Sequence, residues 1–587
     1  MKSRKKRMEQ KKQEQLSKMQ KIFMYFAMAL IFIVPLIVFY KPVNVPESAS
    51  LIYGPTETLP DFFVYYKAII LAVGSFTLFF GALFYRLIDD VDFKFDLFEK
   101  LLSGLAISII VSFILAEYKD VAILGYLDRY EGTLTWLSYI ALAYSIYTFV
   151  KTKVDFNKII SAFVTSSAVI SLIGFFQSRG QDFFRSDLGR KLILGSYYEE
   201  LKETLRFRFP EDRVYATLFN PNYVGSLVAI SFPLTLYLIF EVKNKVFKAI
   251  LSGFAVIQLL VLAGSRSATG FAGIGIAVVA FIVMQLIKAR VDRKRMIAVV
   301  GVVLVVFVMF TQTELFRGEY SKIKNSIETA REPVYNTFLD VEYNHPSLIV
   351  TLANEKSFTI TPDGFDLRVS NSLEEEIEPS IGEETHVFSF SEEEFNVTVT
   401  RNNVNGEVIL RAQDTEKNIT RVTTLHLIYR DQLSLRYDPI TEENIKVDVT
   451  NLISNEQSFS ARGYIWNRSL PLIISKPIFG YGADTFTLHF PQIDIVGNAV
   501  AIGSQIVDKP HNFYINVLIN FGFVGTIILL ALMAVALVKG YKEEITISIL
   551  SFLVVGIAND SVIFCTYMMF VIISLLFVRE KIDENTV

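Results

Sequence analysis

The chain has 587 residues, of which 52% are hydrophobic and 20% charged, and its mean hydropathy is +0.39. That is too apolar for an ordinary soluble protein. The net charge of -3 gives no whole-chain signal for nucleic acid, and the single cysteine, Cys565, excludes an intramolecular disulfide and a cysteine metal site.

The first 21 residues carry nine Lys or Arg, and an apolar run follows from Ile22 to Tyr40. A signal peptide has the same order of charge, but no A-x-A-type cleavage site follows the run and many apolar stretches come after it. The run reads as an uncleaved first helix behind a basic tail. Twelve apolar stretches are candidate spans: 22–40, 64–87, 97–116, 133–150, 157–176, 222–241, 246–263, 267–287, 296–312, 512–538, 544–558 and 560–578. They predict an all-α polytopic membrane bundle of about twelve transmembrane helices. Asn559 and Asp560 divide the last two, which read either as two spans or as one broken element.

Basic residues in short loops favour the cytoplasmic side. Counting twelve crossings from a cytoplasmic N-terminus puts Lys151, Lys153 and Lys158 inside, then Lys243, Lys245 and Lys248. The cluster from Lys288 to Arg295, the pair Lys539 and Lys542, and the pair Arg579 and Lys581 follow suit. The expectation is a multi-pass protein of the cytoplasmic (inner) membrane with both termini inside. Its parts are a tail (1–21), spans one to nine (22–312), an extracytoplasmic region (313–511), three last spans (512–578) and a second tail (579–587).

The opposite loops are longer. Residues 117–132 hold Arg129 and Glu131, and residues 177–221 carry eight basic and seven acidic groups. Within the latter, Tyr197 to Phe209 predicts an interfacial helix with Leu201, Leu205 and Phe209 on one face. This loop reads first as a salt-bridged lid, and second as a surface for anionic lipid or pyrophosphate. Residues 340–450 change character. Runs such as SLIVTLA and FNVTVTRN alternate apolar and polar residues between Gly, Asn and Pro, which predicts an inserted antiparallel β-domain, sandwich-like. It holds 22 acidic and nine basic residues, with acidic triplets at 374–376 and 392–394 that read first as a solvated surface and second as a Ca²⁺ site, though without EF-hand spacing. His345, His386 and His426 are irregularly spaced, and no metal site is expected. In 459–491, Gly463 to Ile474 reads as an amphipathic helix broken by Pro471, before a tight turn at Gly480 and Gly482.

No Walker, dinucleotide, zincin or nucleophile-elbow motif occurs. An enzyme here would use an already activated substrate, with no cofactor. Three residues carry the chemistry. Arg266, in AGSRSATG, stands among small residues at a membrane edge, either snorkelling or holding an anion. Arg462 is either a surface arginine or a second guanidinium for phosphate, whose oxygens its planar fork can meet in pairs. His511, followed by Asn512, opens an apolar run, as a satisfied interfacial histidine or a general base. Arg213 precedes Asn220-Pro221-Asn222, a turn and helix start whose free N–H groups suit a sugar or phosphate.

Several stretches carry a likeness: GYLDRYEGTLTWLSY (125–139), GFFQSRGQDFF (174–184), YATLFNPNYVGSLVAISFPL (215–234), LAGSRSATG (262–270), ARGYIW with PIFGYGADTF (461–486) and HNFYINVLINFGFVG (511–525). The chain resembles the O-antigen ligase and O-antigen polymerase superfamily of bacterial membrane glycosyltransferases. The resemblance implies metal-independent, inverting transfer of a glycan from undecaprenyl pyrophosphate to an acceptor sugar outside the cytoplasmic membrane. It implies catalytic roles for His511, Arg266 and Arg462, with Arg213, Arg129, Asn222 and Asn512 around the substrate. The acceptor would be a glycan, a lipid or a glycosylated protein, and the β-rich insert would meet that acceptor or envelope assembly proteins. Within the enzyme class a repeat-unit polymerase competes with a ligase. The rivals outside it are a polysaccharide exporter and a membrane-anchored binding or sensor protein.

Overall fold

The computed structural model describes residues 2–89, 95–287, 335–428, 432–502 and 505–584, with five single positions between 297 and 324. The expected ninth span, 296–312, lies outside these stretches. Among the described residues eight helices are long and apolar enough to cross a membrane. They are Gln10–Leu36, Tyr65–Ile88, Leu97–Leu115, Lys153–Gln177, Pro221–Glu241, Lys245–Ser265, Ala268–Gln285 and Phe513–Lys539.

This corrects the expectation of about twelve. A crossing needs about 20 residues of continuous helix, and a count of apolar residues does not measure continuity. The stretch 133–150 forms a helix of 17 residues, Thr133–Phe149, rich in Thr, Ser and Tyr. The stretch 544–558 is helical only over Thr546–Val555. The last apolar stretch forms the helix Ile563–Glu584, of which Ile563–Arg579 is a short apolar part that ends among charged residues. Between these two the backbone leaves the helix from Gly556 to Val562. The last helix is nonetheless the inner pillar of the bundle. Every residue from Ile563 to Val578 is buried, as expected of a helix that is apolar all round.

Local chemistry fixes the helix starts. Asp96 and Glu99 form a reciprocal capping box. Asn220 caps a helix that opens on Pro221, where a missing N–H costs nothing. Asn512 caps Phe513–Lys539, accepting from the amides of Tyr514 (2.9 Å) and Ile515 (3.0 Å). That helix is broken at Gly522, whose φ is +62°. The PIFGYG turn docks into the break. The amide of Phe523 donates to Pro477 O (2.7 Å), and those of Tyr481 and Gly482 donate to Ile519 O (2.8 Å) and Asn520 O (3.1 Å). A Cβ on Gly522 would stand 2.4 Å from the Ile478 carbonyl, so the close approach requires glycine.

The insert consists of two antiparallel sheets, one of four strands (Phe338–Ser370) and one of seven (Ser380–Pro439). Both run in sequence order, as meanders. Alternate residues turn inward, so Val350, Phe358, Val397 and Leu410 share one core. Ile495 and Ala499 of the short helix Ile495–Ala501 join that core. The insert is thereby fastened to the segment that leads to His511. Over the bundle, the expected helix Tyr197–Phe209 is helical only at Tyr198–Leu201. The remainder runs as turns and coil along an aromatic cavity.

Candidate functional site

The segment Asp508-Lys509-Pro510-His511 is held in place on all sides before the helix begins. Arg129 donates to the Asp508 carbonyl, and so does Thr487 Oγ1 (3.0 Å). Trp466 Nε1 donates to the Pro510 carbonyl (2.8 Å). Lys509 Nζ donates to the Tyr223 hydroxyl (2.7 Å). His511 follows with a left-handed φ of +51°. Asp128, Tyr130, Arg266 and Asp484 share that region of backbone space. Each such non-glycine residue costs roughly 1–3 kcal/mol and marks a place where surrounding contacts dictate the conformation.

The coil between the last two helices meets this segment. The amide of Phe513 donates to Gly556 O (2.8 Å), and Asn512 Nδ2 donates to Ile557 O (2.9 Å). His511 Nδ1 lies 3.1 Å from Asp560 Oδ2. Asp560 is buried, whereas the His511 side chain is 35% exposed. Burial alone would raise the Asp560 carboxyl, but His511 and then Lys509 outweigh it and hold the group below the usual carboxylate range. When the ring is neutral, an ionised Asp560 favours the tautomer that carries its proton on Nδ1, which leaves the Nε2 lone pair free. This is the tautomer a general base requires.

Arg462 closes the other side. Its Nη1 donates to Phe459 O (2.9 Å) and its Nη2 to Ala558 O (3.1 Å). Its Nε is buried without a hydrogen-bond partner, and so is Asp560 Oδ1. Among the described residues no carboxylate forms an ion pair with Arg462. Burial holds its guanidinium below the usual range, against the pull of Asp560. Lys509 is opposite in sense. Burial would lower it, but Asp508, Tyr223 and Asp560 raise it above the usual range.

Arg266 forms the left-handed corner between the Lys245–Ser265 helix and the helix from Ala268. Its Nη2 pairs with Asp212 Oδ2 at 2.6 Å. It does not touch His511 or Arg462. Its neighbour Thr269 links it to them indirectly, because Asn559 Nδ2 donates to Thr269 Oγ1 (2.8 Å) and Ser226 Oγ (2.9 Å). Residues 558–560 therefore meet all three regions, through Ala558 to Arg462, Asn559 to the Arg266 corner and Asp560 to His511. Arg213 follows Asp212 in the turn after Pro210, its amide donating to Pro210 O (3.1 Å). The amide of Asn222 donates to Asn220 Oδ1 (2.9 Å). Arg129 is occupied by an ion pair with Asp484 (2.8 Å) and a bond to Thr487 Oγ1 (3.2 Å).

Asp560, Lys509 and Asp484 carried no role in the sequence reading. The signal for Asp560 was its position, since an ionisable residue within apolar sequence marks function by default. Asp484 and Lys509 left no such mark, and only the folded chain gives them partners.

The sequence profile of the O-antigen ligase family matches residues 421–530. The matched stretch holds Arg462, Asp484 and His511 and is roughly a fifth of the chain. No curated protein matches the chain. The chain is thus similar to O-antigen ligases over the segment that carries Arg462, Asp484 and His511. With its long apolar helices, the match supports a polytopic membrane protein that handles glycans in the manner of ligases and polymerases.

Proposed function

We propose that the protein transfers a glycan from undecaprenyl pyrophosphate to a sugar hydroxyl at the outer face of the cytoplasmic membrane, as a ligase. The observation that carries this reading is the His511–Asp560 pair beside an arginine without a carboxylate partner. The acceptor oxygen attacks the anomeric carbon while His511 Nε2 takes its proton. The bond from that carbon to the phosphate oxygen breaks, and the pyrophosphate leaves with the electron pair. Arg462 stabilises the charge that develops there, and Arg266 holds a further phosphate oxygen in exchange for Asp212. The stereochemistry inverts because the attack is a single displacement. Arg213, Asn222 and Asn512 border the substrate, and Arg129 fixes the approach to His511. The insert meets the acceptor or an assembly partner.

Charge at the two ends of the bundle supports this orientation without a count of spans. One end gathers Lys153 with Glu241 (3.8 Å), Arg579 with Glu543 (3.5 Å) and Lys581 with Asp96 (3.1 Å). The N-terminal helix enters there, with Gln20 Nε2 donating to Phe149 O (2.6 Å). The rule that Lys and Arg of short loops favour the cytoplasmic side counts these bases whatever their partners, and the His511 site lies at the other end.

The test is to express His511→Ala and Arg462→Ala at normal level and extract lipid-linked and surface glycans. Long chains left on lipid, with loss from the surface acceptor, are expected. Single repeat units left on lipid would make the protein a polymerase instead. Unchanged pools in both variants would remove the enzyme reading.

A further inference from the structure

A cavity of about 160 Å³ lies under the 177–221 loop, beside the approach to His511. Phe63, Phe184, Phe207, Phe209 and Phe219 line it. Tyr215 completes the aromatic wall, its hydroxyl donating to Asp182 (2.5 Å). The Phe63 ring stands 5.8 Å from that of Phe219 and 6.3 Å from that of Tyr215. On the loop side, the Arg185 guanidinium packs 4.9 Å from the Phe207 ring.

Two carboxyl groups share this lining with Arg206 and Arg208. Asp61 is buried and fixed, accepting from the amides of Val64 (3.1 Å) and Tyr65 (2.9 Å). Asp128 is exposed and forms no hydrogen bond among the described residues. Crowding by the surrounding protein, with Asp61 close by, pushes its still solvent-accessible carboxyl up to about 6. A group that exchanges its proton so near neutrality meets a hydroxyl as acceptor or as donor. The next residue, Arg129, holds the Asp508 carbonyl, so the cavity adjoins the segment that presents His511.

We propose that this cavity binds one neutral six-membered sugar ring of the glycan, stacked on the phenyl rings with its hydroxyls on Asp128. This rests on the transferase reading for the identity of the whole substrate. The volume is of the order that accepts a single six-membered ring, since an engineered cavity of about 150 Å³ takes up benzene. Aromatic walls with a few placed polar groups suit a guest that is apolar on its faces and polar at its edge. An isoprenoid chain would strip water from two carboxyls and return no hydrogen bond. A uronic acid would bring a third carboxyl against Asp61 and Asp128.

The probes are methyl glycosides of glucose, galactose and N-acetylglucosamine, followed by saturation-transfer NMR on the full chain in detergent. Methyl glucuronide and farnesol serve as the acidic and isoprenoid alternatives. At least one neutral glycoside is expected to bind. Asp128→Gly should weaken it about three- to tenfold, the loss of one good hydrogen bond. Glycine tolerates the left-handed backbone there, so the fold is kept. Phe207→Ala should weaken it about tenfold, with loss of signal from the sugar ring protons. Binding of farnesol alone, or glycoside binding indifferent to both substitutions, overturns the inference. If no glycoside binds while His511→Ala still abolishes transfer, the inference falls and the transferase reading stands. If glycosides bind as expected while His511→Ala leaves every glycan pool unchanged, the pocket stands and the transferase reading falls.

Discussion

Two clusters of buried charge meet at residues 508–511, and they differ in how their charge is balanced. Arg129 is paired with Asp484, whose other oxygen accepts from the Tyr126 amide (2.7 Å). Arg462, on the far side, has only backbone carbonyls among the described residues and no carboxylate partner. Asp560 spends one oxygen on His511 and leaves the other unpartnered. Charge balanced inside the protein holds structure together. Charge left short is stable only while something else supplies the balance, because an isolated buried ion is costly. The first cluster is a brace, whereas the second keeps Asp560 Oδ1 buried without a hydrogen-bond partner and pairs Arg462 with no carboxylate among the described residues.

The comparison breaks most sharply under substitution at His511 and Arg129. His511→Ala should cut transfer by about 10²–10⁴-fold, the usual worth of a general base, a loss far larger than the fall in melting temperature that comes from leaving Asp560 without its partner. Arg129→Ala should instead destabilise the fold by about 3–5 kcal/mol, because Asp484 is left buried and unpaired. The double variant Arg129→Met with Asp484→Asn should recover part of that loss, since asparagine keeps an acceptor for the Tyr126 amide and tolerates the left-handed backbone. Thermal unfolding in detergent measures both. If Arg129→Ala melts like wild type and loses only transfer, Arg129 belongs with the second cluster and the division between the clusters fails.

A smaller effect sharpens the same contrast at the level of the backbone. Gly522→Ala should cost about 1–3 kcal/mol, from a left-handed conformation and a collision with Ile478. Its effect on transfer should track the loss of fold, since the break seats the turn that carries Asp484 and touches no substrate group. Transfer lost at full stability would move Gly522 into the reacting region.

How much of this was legible beforehand depended on the kind of signal. The apolar runs announced a membrane bundle, and alternation announced the β-rich insert. Arg266, Arg462 and His511 stood out because charge beside apolar sequence is conspicuous. The number of spans was misread because apolar composition does not reveal where a helix stops. Gly556 and Asn559 end one helix ten residues after it starts. The partnership of His511 with Asp560 spans 49 positions, and that of Arg129 with Asp484 spans 355. No local pattern encodes such distances; they follow from the packing of the bundle.

The insert supplies the smallest effect and a third way of treating charge. Its acidic triplets look alike in sequence, yet one of the six residues differs in kind. Glu374, Glu375 and Glu376 are exposed, and Glu393 is exposed beside Lys356 at 3.3 Å. Glu392 is buried, accepting from the amide (2.7 Å) and hydroxyl (2.6 Å) of Ser372. It ties the turn before the seven-stranded sheet to that sheet's second strand. Glu392→Gln weakens two charge-assisted bonds and should cost about 1–3 kcal/mol. Glu374→Gln should stay within about 0.5 kcal/mol, because water already satisfies that carboxylate. Equal effects at the two positions would mean that burial does not set the worth of a charge here, and the contrast drawn between Arg129 and Arg462 would lose its physical basis.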